Sequence, residues 1–565
     1  MLLSLPSEDI VHILELCNFR DIISCSMACR RLNYIATGFE SLVYIVSLAA
    51  AGLQTPENWT PDATLTASEK LTHVQEYDSS GSRGGQLLLF SLLPEDTIQV
   101  SGGLRLGLRR MADNMMHLSL HDLGGPRSLP SSQVLPIIPL PDSTRTPICM
   151  VDSAHRVMVV VYETGRQWDC SVLDFASLGL SRPITTYNVG SMEFCTRAWQ
   201  VCGNTLIYCE YPSPHRHPCY HVKDVRSGDH LLTIDDPFPA PNMSSTKLVA
   251  EDMMLRVTHP EPPLIPEDGQ SPELHIEAFL LNGTTTPTSF ILELPVLNDQ
   301  YLGAFLWFDR DASVDGDPHR FDGLATSDDE RLFHLHFSFR CPTAMDWHHT
   351  PCEYTRDDIL LLVHVNGLRA LLRSLSPRSR DSSYVLTWEE WAGHARLMVL
   401  RPPPIPVRME WRSSASTSGM RLVLWFECWR YFDLDVPASA RVHDASPPAM
   451  RQLVLIDVHP RRVARRAAEP QVPFALSKDL RGTGRVSPFK DWQNVYHGGL
   501  SCVEYTYVLP PEVARSVSDF DVAAALDGVV VKTRKLPGNT PAEFQYCTIP
   551  RLEPPARAFR PDVLR

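Results

Sequence analysis

The chain has 565 residues, 44% hydrophobic and 21% charged, a composition that supports a buried core and excludes disorder throughout. Its formal net charge of −14 argues against a protein that grips nucleic acid mainly by electrostatics, which needs a basic face. Its 47 prolines are dense enough to end strands and set loops along most of the chain.

The opening residues hold Glu8 and Asp9 and lack the basic start and long apolar run of a signal peptide. A bilayer-crossing helix needs about 18 uncharged apolar residues, and the run at 359–368 is too short. The expectation is an intracellular chain, in cytoplasm or nucleus, whose 14 scattered cysteines stay as free thiols. The glycosylation triplets at Asn58, Asn242 and Asn282 are then expected to stay unmodified.

The first elements are helical. Pro6 suits a first turn, because that N–H has no intrahelical partner, and Glu8 and Asp9 meet the positive end of the helix dipole. Ile10, Ile13, Leu14 and Cys17 then recur at i, i+3, i+4 and i+7, one apolar stripe. Asn18, Phe19 and Arg20 interrupt it, and Asp21 opens a second helix with Ile22, Ile23, Met27, Leu32 and Ile35 on its apolar side. Leu5, Leu16, Ile23 and Cys29 fall off the main faces. Three short helices in about fifty residues bury too little surface to stand well alone, so this apolar surplus meets either the body of the chain, as a helical cap, or another protein.

The pattern Leu5-Pro6-x-Glu8-x-Ile10-x-x-Ile13-Leu14-x-Leu16, then Asp21-Ile22, then Cys29-Arg30, resembles the F-box motif over residues 4–48. Ala28 stands where that family usually has Val, and Asp9 where an apolar residue is common, with Ile10 taking the apolar role. The resemblance implies docking on Skp1, and through Skp1 on a cullin and a RING protein of a ubiquitin ligase. Carried over by position, Leu5, Pro6, Ile10, Ile13, Leu14, Leu16, Ile22 and Cys29 form or support the docking surface, and none is catalytic. Three further segments are similar to ones in the large F-box family of mushroom-forming fungi (basidiomycetes): SLVYIVSL at 41–48 closed by Gly52, Glu69-Lys70-Leu71, and Trp388-Glu389-Glu390-Trp391.

From about Gln86 the apolar runs turn short, β-branched and punctuated by turn residues, which signals an all-β body. A repeat opens at Val151, Val201 and Val249, copies roughly 50 residues apart, each a strand end, a polar turn and a second strand. Further strand runs follow each copy, at 168–175, at 220–225 with 230–234, and at 273–281 with 290–294. Less regular ones lie at 332–339, 359–365, 421–426 with 430–434, 453–458 and 505–509. Three to four strands per repeat are the blade signature of a β-propeller. The expected fold class is a small all-α F-box followed by a large all-β body, an irregular β-propeller. A β-sandwich or two smaller β domains are the alternative. The expected division is 1–52 helical, 53–85 linker and helical segment, 86–565 β-rich recognition body.

Candidate chemistry is sparse. DASVDGDPHRFD at 311–322 places Asp311, Ser313, Asp315, Gly316 and Asp322 at EF-hand loop positions, but Pro318 stands where an aliphatic residue belongs and the flanks read as strands. A solvated acidic loop is the expectation. His215, His217, Cys219 and His221 alternate through HRHPCYH, and His348, His349 and Cys352 cluster later, without the two separated pairs of a zinc site. Arg461, Arg462, Arg465 and Arg466 read as an exposed basic loop. No phosphate-cradling loop, dinucleotide fingerprint, nucleophile elbow or metalloprotease motif occurs. No cofactor and no metal is expected. The function expected is a non-catalytic adaptor that docks Skp1 and recruits an unknown protein substrate. A propeller scaffold acting outside ubiquitin ligases is the alternative.

Overall fold

The computed structural model describes residues 2–54 and 66–79 and, between 87 and 548, the strands and helices named below with some of their turns. Four helices open the chain: α1 (Ser7–Glu15), α2 (Phe19–Ala28), α3 (Arg30–Gly38) and α4 (Glu40–Ala50). Asn18, which breaks the apolar periodicity, is the N-cap of α2; its side-chain oxygen accepts the Asp21 N–H at 3.0 Å. The stretch expected as one second helix is two. Cys29 is extended (φ −160°, ψ 160°), and α3 folds back along α2. Ile22, Cys25, Cys29, Leu32 and Ala36 keep a helical period straight through that break, so periodicity alone hides it. The Arg31 guanidinium secures the return by donating to the carbonyls of Leu3 and, at 2.7 Å, Leu5.

Gly52, at φ +70°, ends α4 in the left-handed conformation that a Cβ disfavours, and turns the chain into β1 (Leu53–Gln54). A reciprocal Thr66–Glu69 capping box starts α5 (Ala67–Ser79), which packs on α4 through Tyr44, Leu48, Ala51, Leu53 and Val74. Among the described residues no single helix is long and apolar enough to cross a membrane; α3 and α4 pass that test only as a pair bent by 82°.

The body is a succession of antiparallel meanders. After β2 (Leu87–Phe90), the first sheet is β3 (Asp96–Ser101), β4 (Leu104–Arg110), β5 (Met116–Asp122) and β6 (Ser131–Val134). The second is β7 (Ile148–Asp152), β8 (Val157–Thr164), β9 (Gln167–Asp174) and β10 (Thr185–Gly190). The third is β11 (Gln200–Cys202), β12 (Thr205–Glu210), β13 (Cys219–Asp224) and β14 (His230–Asp235). The fourth is β15 (Ser244–Ala250), β16 (Met253–Thr258), β17 (His275–Leu280) and β18 (Thr288–Glu293).

The fifth comprises β19 (Ala304–Trp307), β21 (Leu332–Cys341), β22 (Thr355–His364) and β24 (Ala395–Leu400), with β20 (Ala325–Thr326) in the β19–β21 connection. The sixth is β25 (Met409–Ser418), β26 (Arg421–Arg430), β27 (Arg451–Asp457) and β28 (Val503–Tyr507). The last has β29 (Val517–Ala524), β30 (Gly528–Thr533) and β31 (Phe544–Thr548), and β2 completes it by pairing with β31. Both ends of the body therefore share one sheet. Opening strands of neighbouring sheets lie side by side, β3 on β7, β7 on β11, β11 on β15 and β25 on β29. Seven consecutive blades among the described residues make an irregular β-propeller, not two stacked sheets.

The three repeat copies read from Val151, Val201 and Val249 are the turns and paired strands β7–β8, β11–β12 and β15–β16. Their turns interlock. The Gly203 N–H donates to the Asp152 carboxylate at 2.5 Å and the Asn204 N–H to Glu251 at 3.2 Å, so one turn is held by acids of the blades on either side. Gln200 bridges inner strands in the same way, donating to the Thr246 carbonyl and accepting from the Leu248 N–H.

Two strand assignments change. Residues 421–426 and 430, expected in separate strands, are one strand, β26, because FECWR continues the pairing opposite β25; 431–434 lie outside the described residues. The apolar run at 359–368 is split between the end of β22 and the start of helix α6 (Val365–Leu375). Val365, Leu368 and Leu372 recur at helical spacing and enter the core between the fourth and fifth blades. The chain returns through β23 (Tyr384–Leu386), parallel on β18, and α7 (Trp388–Trp391). The Trp-Glu-Glu-Trp segment is thus a clasp: a Thr387–Glu390 capping box starts it, both indoles are buried edge to face, and Trp391 Nε1–H donates to the Glu293 carbonyl at 2.9 Å.

Candidate docking site

The helices at the start of the chain have a closed core and an open apolar face. Ile10, Val11, Leu14, Ile22, Leu32, Ile35, Ala36 and Leu42 form the core, with Leu5, Cys17, Cys25 and Cys29 half-buried against it. Of the residues carried over from the motif, Ile10, Leu14 and Ile22 sit inside, where they hold the helices together, and Leu5 and Cys29 are partly covered. Pro6, Ile13 and Leu16 face outward, Leu16 with 90% of its surface exposed.

Four more large apolar residues lie outward with them: Leu3, Ile23, Met27 at 81% exposed and Tyr34 at 76%. Ile23 is legible in the sequence as off the main stripe. Met27, expected on the apolar side of the second helix, instead faces outward from α2, and Tyr34 faces outward from α3 between the buried Leu32 and Ile35. The hydroxyls on these helices turn back on their own backbone: Ser24 to the Arg20 carbonyl, Ser26 to Ile23 and Thr37 to Asn33, at 2.7 to 2.8 Å. These three hydroxyls are thus turned away from the outward apolar side chains, which share the helices with the exposed Arg20, Asp21, Arg30 and Asn33. A face like this is complementary to another apolar protein surface, and its chemistry is burial, not catalysis.

The β-body candidates give a different result. Cys219 and His221 stand two apart on β13; His215 and His217 lie outside the described residues. His221 Nε2 is 2.7 Å from the Glu210 carboxylate, and its ring stacks on Tyr208 and meets the His230 ring edge to face. Burial lowers the His221 pKa, and the Glu210 carboxylate works against that shift. The Cys219 thiol donates to Asp235 at 3.5 Å, and burial, with Asp235, pushes its pKa up to about 11, so it is a poor thiolate. Among the described residues no three His, Cys, Asp or Glu side chains are arranged to hold a metal. The acidic loop at 311–322, the cluster of His348, His349 and Cys352, and Arg461, Arg462, Arg465 and Arg466 lie outside the described residues.

Known proteins resemble the two parts of the chain separately. No curated protein matches it. Among solved structures, the β-propeller domain of the Trilobed protease from Pyrococcus furiosus is 8% identical, with 84% of this chain and 100% of that chain covered and a TM-score of 0.34. The WD40 domain of Toxoplasma gondii coronin is 8% identical, with 84% and 90% covered and a TM-score of 0.33. BamB from Moraxella catarrhalis is 8% identical, with 82% and 99% covered and a TM-score of 0.30. The family model of the F-box domain matches residues 2–44, the segment that carries the open apolar face. The chain therefore begins with an F-box domain, at residues 2–44, followed by a β-rich body.

Proposed function

We propose that this protein is a non-catalytic substrate adaptor of a Skp1–cullin–F-box ubiquitin ligase. The F-box domain docks on Skp1, which brings the cullin and RING subunits. The body, 86–565, recruits a protein substrate in cytoplasm or nucleus, and ubiquitin transfer belongs to the partner complex. The observation that carries this reading is the set of outward apolar residues Ile13, Leu16, Ile23, Met27 and Tyr34 on the segment matched by the F-box model. Apolar residues left exposed on a folded surface are the hot-spot material of an interface. Ile10, Leu14 and Ile22 support that face from beneath. The membership of the basidiomycete F-box family belongs to the same proposal, resting on the segments around 41–52, 69–71 and 388–391.

The test is co-purification of the tagged full chain with Skp1 and cullin beside a Leu16→Asp, Met27→Asp variant. Both changes lie at exposed positions, so the variant keeps its fold. Capture of both partners by the parent and of neither by the variant supports the adaptor. Capture of neither by the parent overturns it, and capture of Skp1 without cullin by the parent points to a scaffold outside the ligase.

A further inference from the structure

We propose that Met27 is an oxidation site that switches off the docking face; this rests on the Skp1 reading above. Met27 lies one turn after Ile23 on the outward side of α2, and 81% of its surface is open to solvent. Among the described residues this setting is unlike that of the other methionines. Met150, Met158, Met253, Met254, Met398 and Met420 are all buried in the propeller. A peroxide in solution therefore meets the Met27 thioether before it meets any of those. The neighbouring serine hydroxyls donate to the helix backbone, Ser24 to Arg20 and Ser26 to Ile23, so neither is turned to a new acceptor at position 27.

The chemistry is a two-electron oxygen transfer. The sulfur lone pair attacks one oxygen of hydrogen peroxide, an S–O bond forms and the O–O bond breaks. The other oxygen leaves as water, the sulfur being oxidised and the peroxide reduced. The product sulfoxide is polar and chiral where the thioether was apolar and flexible. Burying it under a partner strips water from a strong acceptor with no donor in place, which weakens the complex. A sulfoxide reductase drawing on a dithiol reverses the change, so the step works as a switch.

The experiment treats the full chain with graded hydrogen peroxide, maps the added oxygen by peptide mass spectrometry, and measures Skp1 binding before and after treatment. Met27→Leu, which keeps an apolar side chain of similar volume, is run in parallel. The expected result is early oxidation at Met27, a loss of affinity of about tenfold or more, recovery with methionine sulfoxide reductase, and a Met27→Leu variant whose own affinity, whatever its starting value, does not change on peroxide treatment. Sulfoxide at Met27 with unchanged binding overturns the switch and leaves the docking reading standing. So does equal loss in Met27→Leu, which assigns the sensitivity to an oxidisable group other than Met27, the half-buried Cys17, Cys25 and Cys29 of the same domain being the first to map. Failure of the untreated chain to bind Skp1 overturns the docking reading itself.

Discussion

Leu14 and Leu16, two positions apart at the end of α1, have 1% and 90% of their surfaces exposed. One holds the F-box helices together and the other is free to hold a partner. Substitution separates the roles. Leu16→Asp is expected to change stability by no more than about 0.5 kcal/mol, as surface substitutions do, and to abolish Skp1 capture. Leu14→Asp is expected to unfold the helical domain, because it places an unpaired charge in a closed core. Circular dichroism melts with pull-downs check both, and a Leu16→Asp protein that still captures Skp1 sinks the assignment.

The clasp between the fourth and fifth blades makes a prediction about the body. Trp391 is fully buried and its indole N–H caps the Glu293 carbonyl. Trp391→Ala is expected to cost about 3–5 kcal/mol, from lost burial and the cavity left behind. Trp391→Phe retains most of the packing and strands the carbonyl, for about 1–3 kcal/mol. Equilibrium denaturation orders the two; equal losses would mean the hydrogen bond, not the packing, carries the clasp.

Arg421 and Asp457 face each other across β26 and β27 with Nε 3.2 Å from Oδ2, and both side chains are buried. The other Asp457 oxygen accepts the His459 N–H at 3.0 Å. Asp457→Asn is expected to destabilise by about 3–5 kcal/mol, because it leaves a buried guanidinium without its counter-charge. The double change Arg421→Met, Asp457→Leu is expected to recover most of that loss, since removing both charges also removes both desolvation costs. A double variant as unstable as the single would show that the pair's other hydrogen bonds dominate.

The root of α6 is expected to sense acid. Gly367 lets His364 and His394 approach the helix backbone, where a Cβ would meet both rings. Burial, and then the neighbouring His364, lowers the His394 pKa below 6.5. A histidine with a depressed folded-state pKa binds its proton more readily in the unfolded chain. Its contribution is therefore complete above pH 6.5 and is lost as pH falls toward the folded-state value. The Tm of the parent should fall between pH 7.5 and 5.5 more steeply than that of His394→Gln. Parallel slopes would remove His394 from the acid response.

The sequence by itself determined the two-part architecture and the F-box identity of the helical domain. Pro6 with Glu8 and Asp9, the Ile10–Ile13–Leu14 stripe and the residues around Cys29 are local patterns that physical chemistry reads directly. So are the β hairpins at Val151, Val201 and Val249, because strand, turn and strand follow within a dozen residues. Tertiary structure alone decided which apolar residues face outward: Met27, on the side the sequence reads as apolar, lies at the surface, while Leu32 and Ile35 beyond the break at Cys29 are buried. It decided as well that β2 closes a sheet with β31, that Trp391 clasps Glu293, and that one blade's acid caps the next blade's turn. These pairings join positions tens to hundreds of residues apart, and their energy comes from burial against partners that no local window contains.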